Sequence, residues 1–348
     1  MTIRADPADR RTVTMITVIN EDERTVNAEV ADGRVSLNPE ELREAIGWEL
    51  KPEGLCRDSV CVPFRSGGDR VELDAAAAAL GRAVVADTEA GVVALALAAE
   101  ERRRGLDALV APPFSLPALD GTVHHLSEWE GRKKLLVVFS SWLGCRYDLP
   151  GWQALHTELA GSGFTVIAVA LDDSSDDVRP WVEEVTFPVL VDREHVLSEL
   201  YAISNVPTVV WIDEEDRIVR PNAVAFGTDM FKDFTGVEAA PHMELVRRWV
   251  TGGEVPAYDG TVGDLSEPEI LARLHFRIAA HLRRRGDDAA ARRHFDEAGR
   301  LAPYDWTIRR AALPLTGGDP FGQEFFTMYE EWQAAGSPYH GLPATRTS

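Results

Sequence analysis

Cysteine is scarce in this chain: Cys56, Cys61 and Cys145 are the whole set in 348 residues. Three are too few to staple a small secreted scaffold, and the odd number leaves one thiol without an intramolecular partner. Lysine is scarcer still, confined to Lys51, Lys133, Lys134 and Lys232 plus no others. No stretch approaches 18 uninterrupted apolar residues, and the opening MTIRADPADRRTVTMITVIN has no apolar h-region with a small-residue cleavage site. The expectation is therefore a cytoplasmic protein with no membrane partner, in which cysteines serve as reactive or metal-binding groups. Also missing are a phosphate-cradling glycine loop, an HExxH pair, a Gly-x-Ser-x-Gly elbow and a basic-aromatic stripe. No cofactor is expected. Basic residues number 36 against 57 acidic ones, and the net charge of −21 argues against a nucleic-acid partner.

What is present centres on residues 139–150, FSSWLGCRYDLP. The preceding KLLVVF run reads as a strand buried on both faces, and the following PGWQALHTEL reads at helical period. A lone cysteine thus falls where a central strand hands over to a helix. Free N–H groups and the positive end of the helix dipole favour a thiolate at such a junction.

At this length two or three domains are expected. A small α+β domain spans 12–108. Its first part is strand-like, with a turn at Ala31-Asp32-Gly33, and a helix follows with Asn38 as N-cap, Pro39 at its first position, Glu41 at N3 and Gly47 past its end. Short helices are predicted from Asp74 to Gly81 and from Asp87 towards Leu106. From Ala111-Pro112-Pro113 strands and helices alternate: strands at 134–140, 164–171, 187–191 and 206–213, helices at 150–160, 176–185, 195–201 and 241–250. Such alternation implies a central sheet covered on both faces, in a domain spanning 109–250. The last segment, 251–348, is a helical extension. Its helices at 268–301 break at Gly286-Asp287-Asp288 and resemble one tetratricopeptide-type pair, which cannot bury its own face and invites packing on the chain or a homo-oligomer.

The segment from Ala111 to about Val250 resembles the thioredoxin-like redoxins, that is, the TlpA/ResA-type thiol-disulfide oxidoreductases and the related AhpC/TSA peroxiredoxins. The resemblance rests on APPFSLPALDG, on the strand plus WLGCRYDLP, on FTVIAVALD and on NVPTVVWIDEEDRIV. It implies a thioredoxin-like α/β sheet and, at Val206-Pro207-Thr208, a cis proline facing the cysteine. Those families carry Trp-Cys-Gly-Pro-Cys-Arg with a proline five residues after the second cysteine. Cys145, Arg146 and Pro150 match that spacing, but Trp142 or Leu143 stands where the first cysteine belongs. One sulfur alone stops at a mixed disulfide or a sulfenic acid.

The candidate site is therefore Cys145 as reactive thiolate, with Arg146 stabilising charge, Pro207 opposite and Trp142 shaping the groove. Cys56 and Cys61 are candidates for a resolving pair, held in a turn by Pro52, Gly54 and Pro63; a zinc site would need further ligands. Each also has a plain explanation: an inert buried cysteine, a packed aromatic, two small hydrophobes in a loop. His124, His125 and His156 read as surface or packing histidines, and Asp172-Asp173 as either the ligand side of an open sheet or helix capping. The expected activity is thiol redox chemistry on a disulfide or peroxide, with a thiol or disulfide protein or a small thiol as electron donor. The competing expectation is a redox-silent binding module of the same fold.

Overall fold

Strand Lys133–Phe139 is buried from Lys134 onward, as its apolar run demands. In the computed structural model, which describes residues 12–258 and 261–342, it is the middle strand of a five-stranded sheet. The order is Val189–Val191, Phe164–Ala170, Lys133–Phe139, Thr208–Ile212 and Ile218–Ala223. The first three run parallel, Thr208–Ile212 runs antiparallel to its neighbour Lys133–Phe139, and Ile218–Ala223 runs antiparallel to Thr208–Ile212 in turn. Lys134, fully buried, reaches Asp216 at 2.6 Å, so the charge in the middle of this sheet is paired. Helices Leu149–Leu159 and Ala239–Gly252 meet where Trp152 and Trp211 both pack against His242, with Trp249 stacked on Trp211 at 4.9 Å. This is the thioredoxin-like central sheet that the sequence implied.

The described residues form two compact units that do not follow chain order. One takes the chain up to Glu100 together with Ile270–Leu301; the other takes Glu101–Glu269 together with the chain from Ala302 onward. The helical extension expected as one segment, 251–348, is thus divided between them.

In the second unit, residues 303–342 bond back to the domain that carries the central sheet. Trp306 donates its N–H to the Ser204 carbonyl at 2.8 Å and Leu342 donates to the Asn222 carbonyl at 2.7 Å. Helix Gln323–Ala334 adds Phe325, Tyr329 and Trp332 to a cluster around Trp306. Phe234 joins it at 5.0 Å from Tyr329.

The first unit is a six-stranded sheet with helix Pro39–Ile46 against it. The Asn38 side chain accepts from the Glu40 and Glu41 amides, Glu41 returns a bond to the Asn38 amide, and Gly47 closes the helix at φ 73°. The capping signals described the helix completely. The chain beyond Asp87 corrects the expected helix: strands Val84–Asp87 and Val92–Leu95 form a hairpin, and only Ala99–Ala108 is helical. The Asp87 carboxylate accepts the Ala90 N–H, and Gly91 takes φ 73°. That turn chemistry ends the strand where an N-cap was expected. Helix Glu267–Arg284 and helix Asp288–Leu301 pack on each other through Phe276 and Phe295. Within it His281 reaches Glu23 at 3.0 Å and His294 reaches Asp87 at 3.1 Å.

The helix expected over 176–185 shrinks to Ser175–Val178 and a 3-10 turn, Arg179–Trp181. Pro180 lacks the N–H that would continue it.

Candidate thiol site

The chain leaves the central strand at Phe139, crosses Ser140 to Leu143, makes a 3-10 turn over Gly144–Asp148 and enters helix Leu149–Leu159. Cys145 lies in that turn, 4% exposed. Its Sγ accepts the Ser140 N–H at 3.2 Å and donates to the Ser140 carbonyl at 3.3 Å. The strand pairing ends at Val138 opposite Thr208, so the Val206–Pro207 bond, which is cis, falls just beyond it on the side where Ser140 holds the sulfur.

The expected thiolate is corrected by this geometry. Burial pushes the Cys145 thiol up to about 12, outweighing the Ser140 amide and the distant pull of Arg310, while Asp148 and Asp172 push the same way as burial. The helix proper starts at Leu149, and the sulfur sits one 3-10 turn before it. Burial wins because removing an ion from water outweighs a dipole that reaches only a turn.

Two buried carboxyls flank the sulfur. Asp148 accepts at Oδ1 from the Gly227 and Thr228 amides, at 3.0 and 2.9 Å, and from the Thr228 hydroxyl at 3.1 Å. Its Oδ2 is buried without a partner. Burial raises it to about 7 despite those bonds. Asp172 accepts the Ser141 N–H at 3.0 Å and the Ser141 hydroxyl, and burial raises it to about 6. Asp172 ties down the loop that precedes the thiol, a role outside the two expected for it.

Arg146 stacks on the Trp181 ring at 3.9 Å, lies 5.0 Å from the Tyr147 ring and donates to the Ser141 carbonyl at 2.9 Å. It braces the turn. Trp142 is half-buried three residues ahead of Cys145. A Cβ on Gly144 would meet the Phe231 ring at 2.1 Å, so glycine here lets that ring lie over the turn. The Tyr339 hydroxyl and the Thr208 hydroxyl are 3.1 Å apart, next to Pro207.

Cys56 and Cys61 form a disulfide, Cα to Cα 4.1 Å. Strands Gly54–Arg57 and Val60–Val62 place them directly opposite across a two-residue turn, with Asp58 at φ 53°. Cys56 is buried and Cys61 is exposed. The pair belongs to the first unit and Cys145 to the second. Among the described residues no three His, Cys, Asp or Glu side chains cluster as metal ligands. His124 pairs with Glu128 and His125 with Ser115 on the leading hairpin, while His156 accepts the Val166 N–H. None of the three adjoins the sulfur through any of these bonds.

The sequence reading missed Asp148, Phe231, Arg310 and Tyr339. Asp148 had a local signal, a carboxyl three residues past the cysteine on a helical turn. The other three come from distant chain and had none.

Residues 109–220 match the AhpC/TSA family. The thiol-disulfide oxidoreductase ResA of Oceanobacillus iheyensis is 30% identical over 115 residues, 31% of this chain and 60% of that protein. The ResA of Geobacillus thermodenitrificans is 26% identical over 111 residues, 31% of this chain and 64% of that one. The chain thus spans less than two thirds of the length of either relative. The thioredoxin domain of a thiol-disulfide oxidoreductase from Bacteroides vulgatus aligns over 41% of this chain and 96% of its own, at 21% identity and a TM-score of 0.34.

Proposed function

We propose that this chain is a thiol-based redox protein acting on a disulfide or a peroxide through Cys145. The observation that carries the proposal is the Cys145 sulfur held by the Ser140 amide and carbonyl at the exit of the central strand. The match of residues 109–220 to a redox family supports it.

The chemistry needs a second source of thiols. With a peroxide, the Cys145 thiolate takes one oxygen, an alcohol or water leaves, and a sulfenic acid remains. One thiol then condenses with the sulfenic acid, releasing water. A second thiol attacks the mixed disulfide and restores Cys145. With a disulfide substrate, the thiolate forms the mixed disulfide directly and expels one thiolate. If Cys56 and Cys61 supply the two thiols, the cycle ends with Cys56 joined to Cys61 and Cys145 free, the redox state of the three cysteines here. An external thiol or dithiol protein then returns the electrons. The proposed location is the cytoplasm, where a disulfide is a transient, working bond rather than a staple. Among the described residues no helix is long and apolar enough to cross a membrane.

The test is turnover of hydrogen peroxide and of a small disulfide with dithiothreitol as reductant. Cys145→Ser is expected to abolish both. Treated with one equivalent of hydrogen peroxide or of the small disulfide in the absence of dithiothreitol, the Cys56→Ser, Cys61→Ser double variant is expected to hold Cys145 as a sulfenic acid or mixed disulfide by mass spectrometry, while the pre-reduced parent returns Cys145 to the free thiol. Turnover equal in Cys145→Ser and the parent chain would overturn the proposal and favour a redox-silent module.

A further inference from the structure

The two ends of the Cys56–Cys61 disulfide differ in access: Cys56 is 2% exposed, whereas Cys61 is exposed. Strand pairing gives the reason. Glu49–Lys51, Gly54–Arg57 and Val60–Val62 form a three-stranded sheet with Gly54–Arg57 in the middle, so Cys56 has Glu49 across from it on one side and Cys61 on the other. Cys61 lies on the edge strand, and among the described residues no further strand pairs with it. Side chains alternate between the faces of a strand. Leu50, Leu55 and Val62 pack into the core of the first unit, which leaves Cys56 and Cys61 on the opposite face.

Two influences oppose each other when a thiolate attacks this bond. Attack on Cys61 expels Cys56, whose burial makes it the poorer leaving thiolate; attack on Cys56 would expel the better solvated Cys61. Access decides. A leaving group scales the rate, but a sulfur at 2% exposure offers an incoming thiolate no path. The hairpin also keeps its register without the bond. Leu55 pairs with Val62 and Arg57 with Val60 on either side of it, and a Cβ on Gly54 would lie 2.0 Å from the Val62 carbonyl oxygen, so the two backbones touch there. After reduction the two thiols still face each other and can close again.

We infer that Cys61 is the sulfur through which an external dithiol passes electrons to this chain, with Cys56 as the leaving and closing partner. One donor thiolate bonds to Cys61 Sγ, the Cys56–Cys61 bond breaks, and Cys56 leaves with the electron pair and takes a proton. The donor's second thiol then attacks the donor sulfur of the mixed disulfide and expels Cys61. The donor ends as a disulfide, and Cys56 and Cys61 as two thiols. The inference rests on the proposed role of this pair as thiol source for Cys145, and it names the sulfur and the class of donor which that role requires.

The test uses the full chain carrying Cys145→Ser, so that the hairpin holds its only cysteines. The disulfide is opened briefly with reduced glutathione, quenched in acid and mapped by peptide mass spectrometry. Glutathione is expected on Cys61 over Cys56 by about tenfold or more. Single-thiol variants separate the sulfurs: with Cys61→Ser added, Cys56 is expected to react with dipyridyl disulfide about a hundredfold more slowly than Cys61 does with Cys56→Ser added. Should a single-thiol variant not fold, the glutathione map of the disulfide-bonded chain decides. Glutathione shared equally or found chiefly on Cys56 would overturn the inference, as would a bond that glutathione and dithiothreitol open only in urea. The redox role of Cys145 would survive either result. Conversely, a hairpin that opens at Cys61 in a parent chain whose oxidised Cys145 is never resolved removes the pair as its thiol source and leaves Cys61 as the entry sulfur.

Discussion

At the scale of single residues, burial decides the state of the site. The Cys145 thiol, pushed up to about 12 by loss of water, is protonated in the closed structure at neutral pH. In the folded chain at pH 8 its alkylation is expected to run about a thousandfold slower than that of a free cysteine of pKa about 8.5, recovering in urea. Native-state rates near the free value would contradict the buried sulfur. Asp148 and Asp172 are raised by burial to about 7 and about 6. Their folded values lie above the unfolded ones, so their contribution to stability is fully present below about pH 4 and is lost as pH climbs through 6 to 7. Asp148→Asn keeps an acceptor for Gly227 and Thr228 and cannot ionise. Thermal melts are expected to show it gaining about 1 kcal/mol or more on the parent at pH 8 relative to pH 5. An identical pH dependence in both proteins would refute the assignment.

At the scale of elements, close backbone approaches hold the thiol turn to its neighbours. A Cβ on Gly151, in the first turn of helix Leu149–Leu159, would lie 1.8 Å from the Gly227 carbonyl oxygen, and one on Gly227 would lie 2.3 Å from that of Asp148. Gly151→Ala must therefore push the helix from the loop that caps Asp148. Urea denaturation is expected to show a loss of about 2 kcal/mol, with faster alkylation of Cys145 as the turn loosens. Elements with complete local signals were legible. The helix after Asn38 had cap, box, proline and terminal glycine, and the run KLLVVF could only be a buried strand. Elements whose signals compete were not. Asp87 reads as an N-cap in isolation, but with Ala90 and Gly91 it makes a hairpin turn. Pro180 ended a helix that periodicity alone would have carried further.

At the scale of the whole molecule, the first unit is closed by helices that arrive late in the chain. His281 to Glu23, His294 to Asp87 and the Arg277 guanidinium to the Leu95 carbonyl at 3.3 Å are bonds that a fragment of residues 12–108 lacks. Such a fragment is expected to unfold at lower urea than the same fragment fused to residues 270–301, by about 1 kcal/mol or more. Equal midpoints would show that the helix pair adds nothing to this unit.

The sequence by itself determined the central sheet, the sulfur at the exit of its middle strand and the lack of a second cysteine in that turn. These are local facts, written in apolar runs, caps and residue spacing. Only the tertiary structure decided that Cys56 pairs with Cys61, that Cys145 is sealed from water, and that Phe231 comes to lie over its turn from far along the chain. Water access and charge at an atom depend on every segment that comes to lie around it, and no local pattern records which distant segments those are.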